Sequence, residues 1–335
     1  MDYKLNFILG IDVSKKTIDV TIGKNEVDGW LGHEVFSNNI KGYDKMLLWI
    51  GSFDAKAEQC LVCLENTGIY HRSLAFYLQD SGAFVWLESG VEIKWSLGVQ
   101  RGKNDKEDSK RIMLYAYRNQ DKAKSYSQKD EKVQQISDLL SLRARMQKCI
   151  KTIKVPIKEL HSIGLLESAS MLEESTKSSI AALEKELKAI EQRIKEIIES
   201  DPELNKKYQY ATSVSSIGFV CGVSLLVYTH GFTKFKSAKQ LASFSGIAPF
   251  QYSSGTSIKR RTKVHMMGNR TLKTIIHLCA VSSIRNNSEM RVYYERKVSE
   301  GKNKMLVLNA IRNKLLARVF SCVKHEKMYV PYKVA

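Results

Sequence analysis

Phe7-Ile8-Leu9-Gly10-Ile11-Asp12-Val13-Ser14-Lys15 is the stretch on which the fold turns. Phe7, Ile8, Leu9 and Ile11 form a short apolar run, which predicts a buried strand. Asp12 stands near its end. A carboxylate at the edge of a buried strand costs free energy unless a salt bridge, a turn hydrogen bond or a metal ion compensates it. A turn Asp is the commonest explanation of any one such residue. Asp12 gains weight because Cys60 to Leu64 is a second apolar run, and it leads into Glu65-Asn66-Thr67-Gly68.

Working outward, Thr17 to Ile22 alternates, with Ile18, Val20 and Ile22 on one side, and reads as a second strand. Residues 33–37 read as a third, and short links allow an antiparallel meander. Helical spacing follows over 40–52, then the Cys60–Leu64 strand, a helix over 71–80, a strand from Ala83 to Leu87 and a helix over 104–118. Three strands followed by alternating helix and strand predict a mixed α/β sheet.

Asp105 and Asp108 open the last of these helices. Their spacing of three puts both on one face. Acids there also suit the positive end of a helix and need no metal for that. Taken with Asp12 and Glu65 they carry a stronger expectation. Gathered carboxylates repel, so a cluster implies a divalent cation. Hard oxygen donors select Mg²⁺, with Mn²⁺ as the second choice. Two such ions can flank a phosphodiester and stabilise both the attacking and the leaving oxygen. Glu88, Glu92 and Glu107 are alternative ligands on the same reading.

The 335 residues and 43% hydrophobic content are ample for a core and point to two or three domains. Neither a signal peptide nor a membrane span is expected. The six cysteines are scattered, and Cys60 and Cys63, three apart on a strand, face opposite ways. All six are read as reduced thiols of a cytosolic protein. Of 53 basic and 35 acidic residues, 23 and 4 lie in 205–335, leaving 30 and 31 in the remainder. The whole net charge of +18 therefore belongs to the C-terminal part, and 204–288 holds no acid. A solubilising surface normally mixes signs. A one-signed lobe implies a phosphate-rich partner.

Between 128 and 200 glycine and strand signals nearly vanish. Ile180, Leu183, Leu187, Ile190, Ile194 and Ile197 repeat at three and four, a seam that pairs with the helix expected over 131–153 or with another subunit. Pro202 marks its end. Ser215-Ser216-Ile217-Gly218 then precedes an apolar helix, with Gly231, Lys234, Lys236 and Lys239 following, an arrangement like a helix-hairpin-helix phosphate grip. Residues 246–263 read as irregular and hold Ser253, Ser254, Lys259, Arg260 and Arg261. Two helices, about 269–284 and 303–323, complete the expected organisation of 1–125, 126–203 and 204–335.

In order along the chain, Gly10-Ile11-Asp12-Val13-Ser14-Lys15, Glu65-Asn66-Thr67-Gly68-Ile69-Tyr70, Lys103-Asn104-Asp105-Lys106-Glu107-Asp108, Ser245-Gly246-Ile247-Ala248-Pro249, Ser254-Gly255 and Gly268-Asn269-Arg270-Thr271-Leu272-Lys273 resemble the motifs of one family. It is that of the bridge-RNA-guided insertion-sequence transposases (family one-ten), which includes Piv-type DNA invertases. The resemblance implies an RNase H-like (RuvC-like) N-terminal domain, a helical coiled-coil middle and a mostly α C-terminal domain. It implies Asp12, Glu65, Asp105 and Asp108 as metal ligands and Ser254 as a nucleophile that forms a phosphoserine link. Ser253 stands beside it as the alternative. Lys259, Arg260, Arg261, Lys263, Arg270 and Lys273 are the expected nucleic-acid contacts. Donor and target DNA, a guide (bridge) RNA and a homo-oligomer, a dimer of dimers, are the expected partners, in a cytoplasmic, nucleoid-associated protein. This chain departs from the family pattern at Ser109, where Ala is usual, at Lys273, where Arg is common, and at Ser216-Ile217-Gly218, where Pro-Gly is frequent. The expected function is DNA strand cleavage and rejoining. A metal-dependent RuvC-like junction nuclease, a Piv-type invertase and a non-enzymatic basic nucleic-acid-binding protein are the alternatives.

Overall fold

β1 (Phe7–Val13) lies at the centre of a five-stranded sheet and is buried along almost its whole length. The structure, a computed structural model, describes residues 5–66, 68–96, 104–126, 131–254, 258–264, 268–286 and 288–331. The side chains of Val91, Trp95, Ser288, 251–254 and 258–263 lie outside that description. The chain divides into two compact units, 1–128 and 129–335.

In the first unit β2 (Thr17–Lys24) and β3 (Trp30–Ser37) form the antiparallel meander with β1. α1 (Ile40–Gly51) leads to β4 (Cys60–Glu65), and α2 (Arg72–Asp80) to β5 (Phe84–Glu88), both strands parallel to β1. The order β3-β2-β1-β4-β5 is the mixed RNase H-like sheet. α3 (Gly90–Ser96) and α4 (Asp105–Arg118) complete the unit.

The period of two along each strand sorts the core into two layers. Leu9, Ile11, Ile18, Val20, Cys60 and Val62 pack with Tyr43, Met46 and Leu74 of α1 and α2. Ile8, Leu61, Cys63 and Trp86 pack with Ile112, Met113 and Ala116 of α4. Cys60 and Cys63 thus serve opposite faces. Gly10 faces α4, and the helix crosses it so closely that a Cβ there would collide with the backbone N of Met113 and O of Ser109. Any larger residue would lift α4 off the strand.

The second unit opens with two long helices, α5 (Glu131–Ser162) and α6 (Leu166–Glu199), folded into an antiparallel hairpin. The apolar seam pairs inside the chain. Ile190, Ile194 and Ile197 are buried at its root with Val133 and Ile136, whereas Ile180, Leu183 and Leu187 are half-buried further out. α5 runs through Pro156, beyond the end expected from periodicity, because α6 packs alongside.

α7 (Pro202–Thr212) starts on Asp201, whose carboxylate accepts from the amides of Glu203 and Leu204. α8 (Phe219–Tyr228) is buried on two sides. Cys221 and Leu225 join the main core of this unit, and Val223, Leu226 and Val227 join the hairpin root. α9 (Ala238–Phe244), β6 (Pro249–Ser254), β7 (Ile258–Val264), α10 (Arg270–Asn286), α11 (Ser288–Ser299) and α12 (Lys304–Lys324) follow.

Three features depart from expectation. Residues 246–263 are not irregular: β6 and β7 pair antiparallel. Neither strand alternates apolar with polar, so no period-two signal exists to read. α3 and α11 are helices that the apolar spacing did not announce, α11 being charged over much of its surface. No helix of the described residues is long and apolar enough to cross a membrane.

Candidate active site

β1 delivers Asp12 on the face that α4 covers, since the side chain follows Ile8 and Gly10 in register. Asn104 caps α4, its Oδ1 accepting from the amide of Lys106 at 3.2 Å. The cap places Asp105 and Asp108 in the first turn, above the end of β1. Asp12, Asp105 and Asp108 each present a carboxylate oxygen, all within 4.8 Å of one another.

β1 and β4 run parallel through the pair Ile11 and Leu64, so Glu65, one residue on, flanks Asp12. Glu65 is outside the three-acid group. Its carboxylate leans over Gly90, where a Cβ would collide with Oε1. Burial pushes the Asp12 carboxyl up to about 6, helped by the charges of Glu65, Asp105, Asp108 and Asp19, in that order. A proton is thus half retained near pH 6, held first by burial and then by the repulsion that a cation would relieve.

Around these acids the structure adds residues that spacing did not reveal. Asp19 is the cross-strand partner of Asp12 and pairs with His33 Nε2 at 3.2 Å. Arg111 Nη1 donates to Asp108 Oδ1 at 2.6 Å. Ser109 is fully buried, its hydroxyl 2.8 Å from that of Thr21 on β2. That bond accounts for a Ser where the resembled pattern has Ala. Of the alternative ligands, Glu88 is engaged by the Tyr115 hydroxyl at 3.1 Å and the Ser89 amide at 2.7 Å. Glu92 and Glu107 are exposed.

The donor set fits a hard divalent ion. Oxygens sharing an octahedral Mg²⁺ at about 2.1 Å stand at most about 4.2 Å apart. The three acids need close by less than an ångström to share one ion.

In the second unit Ser254 ends β6 opposite Ile258, and Ser253 pairs with Lys259. Gly255 and the side chains of Ser253, Ser254, Lys259, Arg260, Arg261 and Lys263 lie outside the described residues. The two ends of the hairpin are held together. A Cβ on Gly268 would overlap Gly246, which has φ +63°, and the Asn269 amide donates to Phe244 O at 2.7 Å. Asn269 Oδ1 accepts from the Leu272 amide and starts α10, placing exposed Arg270 and half-buried Lys273 on its first turns. In the expected phosphate turn the left-handed residue is Ser216, φ +71°, and Gly218 caps α8 with φ −87°. Lys234 lies over the Phe244 ring at 4.6 Å, which directs its charge to an aromatic face.

Residues 9–161 match a family model described as "Transposase", of the DEDD IS110 type, and residues 208–295 match "Transposase IS116/IS110/IS902 family". The pilin gene-inverting protein of Moraxella lacunata is 26% identical over 326 residues, 96% of this chain and 97% of its own length. An insertion element IS110 protein of 43.6 kDa from Streptomyces coelicolor is 30% identical over 155 residues, 46% of this chain and 37% of that protein. The solved structure of Thermus thermophilus RuvC matches at 15% identity and a TM-score of 0.28, over 36% of this chain and 99% of that chain. The mixed sheet, its gathered carboxylates and these matches together mark a DEDD-type DNA recombinase or transposase. The chain belongs to the IS110 family of insertion-sequence transposases, related to the pilin gene-inverting proteins.

Proposed function

We propose that this transposase cuts and rejoins DNA strands with a Mg²⁺ site formed by Asp12, Glu65, Asp105 and Asp108 and with Ser254 as the nucleophile. The meeting of Asp12, Asp105 and Asp108 carries the reading. Asp105 and Asp108 share a helix turn, but Asp12 lies 93 and 96 residues away from them in sequence and has no structural need to join them. A bound divalent ion would supply charge stabilisation for the phosphoryl oxygens. Asp12 and Asp108 orient the site from a strand end and a capped helix, both rigid supports. Ser254 Oγ attacks phosphorus and gives up its proton, the Oγ–P ester forms as one P–O ester of the DNA breaks, and a DNA hydroxyl leaves. The reverse step, with another strand's hydroxyl, rejoins the DNA without an outside energy source. Lys259, Arg260, Arg261, Lys263, Arg270 and Lys273 grip the backbone in this scheme. The acid-free run of 204–288 supports that role.

Sequence reading by a guide (bridge) RNA suits a protein that grips shape and charge, and assembly as a dimer of dimers follows the same family resemblance. Inversion is the second reading, because the relatives matched over nearly their full length are named as pilin gene-inverting proteins.

Trapping tests the chemistry. With Mg²⁺ and DNA carrying the element ends, the parent protein is expected to form covalent adducts that Ser254→Ala abolishes while DNA binding persists. Adducts surviving in full yield remove Ser254 from the scheme, and Ser253→Ala then becomes the variant to examine. Free DNA ends with no protein attached would indicate hydrolysis by the acids alone. RNA retained through purification, and light scattering of the loaded protein, test the guide and the assembly.

A further inference from the structure

Arg312, on α12, is only 6% exposed, in a unit whose residues 204–288 contain no acid. Its Nη2 donates to His277 Nδ1 on α10 at 2.7 Å, and its Nη1 reaches Asn309 Oδ1 at 3.4 Å. Its Nε is buried without a hydrogen-bond partner among the described residues, and no ion pair among them includes it. A buried guanidinium with no carboxylate is a costly arrangement that an anion would relieve.

The contact also decides the state of His277. A guanidinium has donors only, so Nδ1 must accept and the ring proton sits on Nε2. Burial and the charge of Arg312 both hold the His277 pKa below its ordinary value. The half-buried ring therefore offers a neutral N–H donor with a fixed positive charge behind it.

Its position in the fold is equally specific. Asn309 Nδ2 donates to Ile247 O at 2.9 Å and Asn313 Nδ2 to the same oxygen at 3.4 Å. Ile247 belongs to the chain entering β6, and His277 to the helix leaving β7. The network thus spans both feet of the hairpin that carries Ser254. On α10, Arg270, Lys273 or Thr274, and His277 recur at three, four and seven, on one face.

We propose that His277, held as an Nε2–H donor by Arg312, binds a phosphodiester oxygen of the nucleic acid at the foot of the β6–β7 hairpin. Arg312 is then a positioning residue, which sets the tautomer and supplies the charge. The inference rests on the reading of this unit as the DNA-gripping lobe.

The test uses binding alone, with the full-length protein carrying Ser254→Ala and a mixed-sequence DNA duplex. His277→Phe keeps the ring volume and removes the donor. It is expected to weaken binding about tenfold, the effect of losing one hydrogen bond to a charged group. His277→Gln, whose amide nitrogen replaces Nε2, is expected to recover most of that. Arg312→Met is expected to match His277→Phe, with little further loss in the double variant. In the ¹⁵N spectrum of the ring, Nδ1 is expected at an acceptor position without DNA, and Nε2–H is expected to shift when DNA is added. Unchanged affinity of His277→Phe, failure of Gln to recover it, or an Nε2–H resonance unmoved by saturating DNA would each overturn the proposal. Should Arg312→Met unfold, the two His277 variants still decide it. Failure of the His277 variants to behave as expected, while the parent protein forms Ser254 adducts, would count against His277 alone. Absence of adducts in the parent protein, with the His277 variants behaving as expected, would count against the serine scheme alone.

Discussion

At the residue scale the informative group is Asp12, which is held partly protonated. Its folded pKa of about 6 exceeds the ordinary 3.8. Between these values the folded state binds more protons than the unfolded state, so stability falls as pH rises through the window, and the loss is complete above about 6. In chelator-treated protein, Asp12→Asn is therefore expected to raise the melting temperature at pH 7.5 and to change it little at pH 4. A melting temperature unaffected by the substitution at both pH values would mean that the carboxylates do not repel as described. The buried Thr21–Ser109 pair makes a second prediction. Ser109→Ala strands the Thr21 hydroxyl and is expected to cost about 1 kcal/mol, whereas Ser109→Ala with Thr21→Val, which removes both polar groups, is expected to lie near the parent. Chemical denaturation of the three proteins measures this. Neither effect is legible in the sequence, because Ser109 and Thr21 are 88 residues apart.

At the scale of elements, β1, β2, β4, β5 and α4 were legible because each carries its own apolar pattern or, for α4, an acidic first turn. The β6–β7 hairpin was not. Its strands carry polar residues at both odd and even positions, and their pairing shows only in the fold. What holds the hairpin is the crossing of its feet at Gly246 and Gly268. Gly268→Ala is expected to force the two segments apart, at a cost of about 1–3 kcal/mol by the usual scale of overpacking. Ser254 adduct formation is expected to fall with it. Wild-type stability and adduct yield in that variant would show that the crossing does not matter. The α5–α6 seam illustrates a different limit. Its spacing announces a helix pair but cannot name the partner. The short turn at Gly164, φ +83°, supplies the reversal that brings α5 back against α6.

At the scale of the whole molecule, charge separates two roles within one chain. Residues 1–204 are nearly neutral and house the acids, and 205–335 carry the excess of base. DNA affinity is accordingly expected to fall by about a thousandfold or more between roughly 50 and 200 mM salt, as for a protein that neutralises six or more phosphates. Replacing Arg270 and Lys273 together by Gln is expected to flatten that dependence, while Asp12→Asn leaves it unchanged. Filter binding over a salt series measures both. A salt-independent affinity would refute a phosphate-led grip.

What the sequence determined by itself was local or compositional. Apolar periods define the strands of the sheet, the acid pair Asp105 and Asp108 marks the start of α4, and the counts of Lys, Arg, Asp and Glu divide the chain. These depend on neighbours within a few residues, or on no neighbours at all. Only the tertiary structure decided which acids meet, why Gly10 must lack a side chain, and that Arg312 lies buried against His277. Those facts depend on elements brought together from distant parts of the chain, and the energy of each contact exists only once both partners are in place.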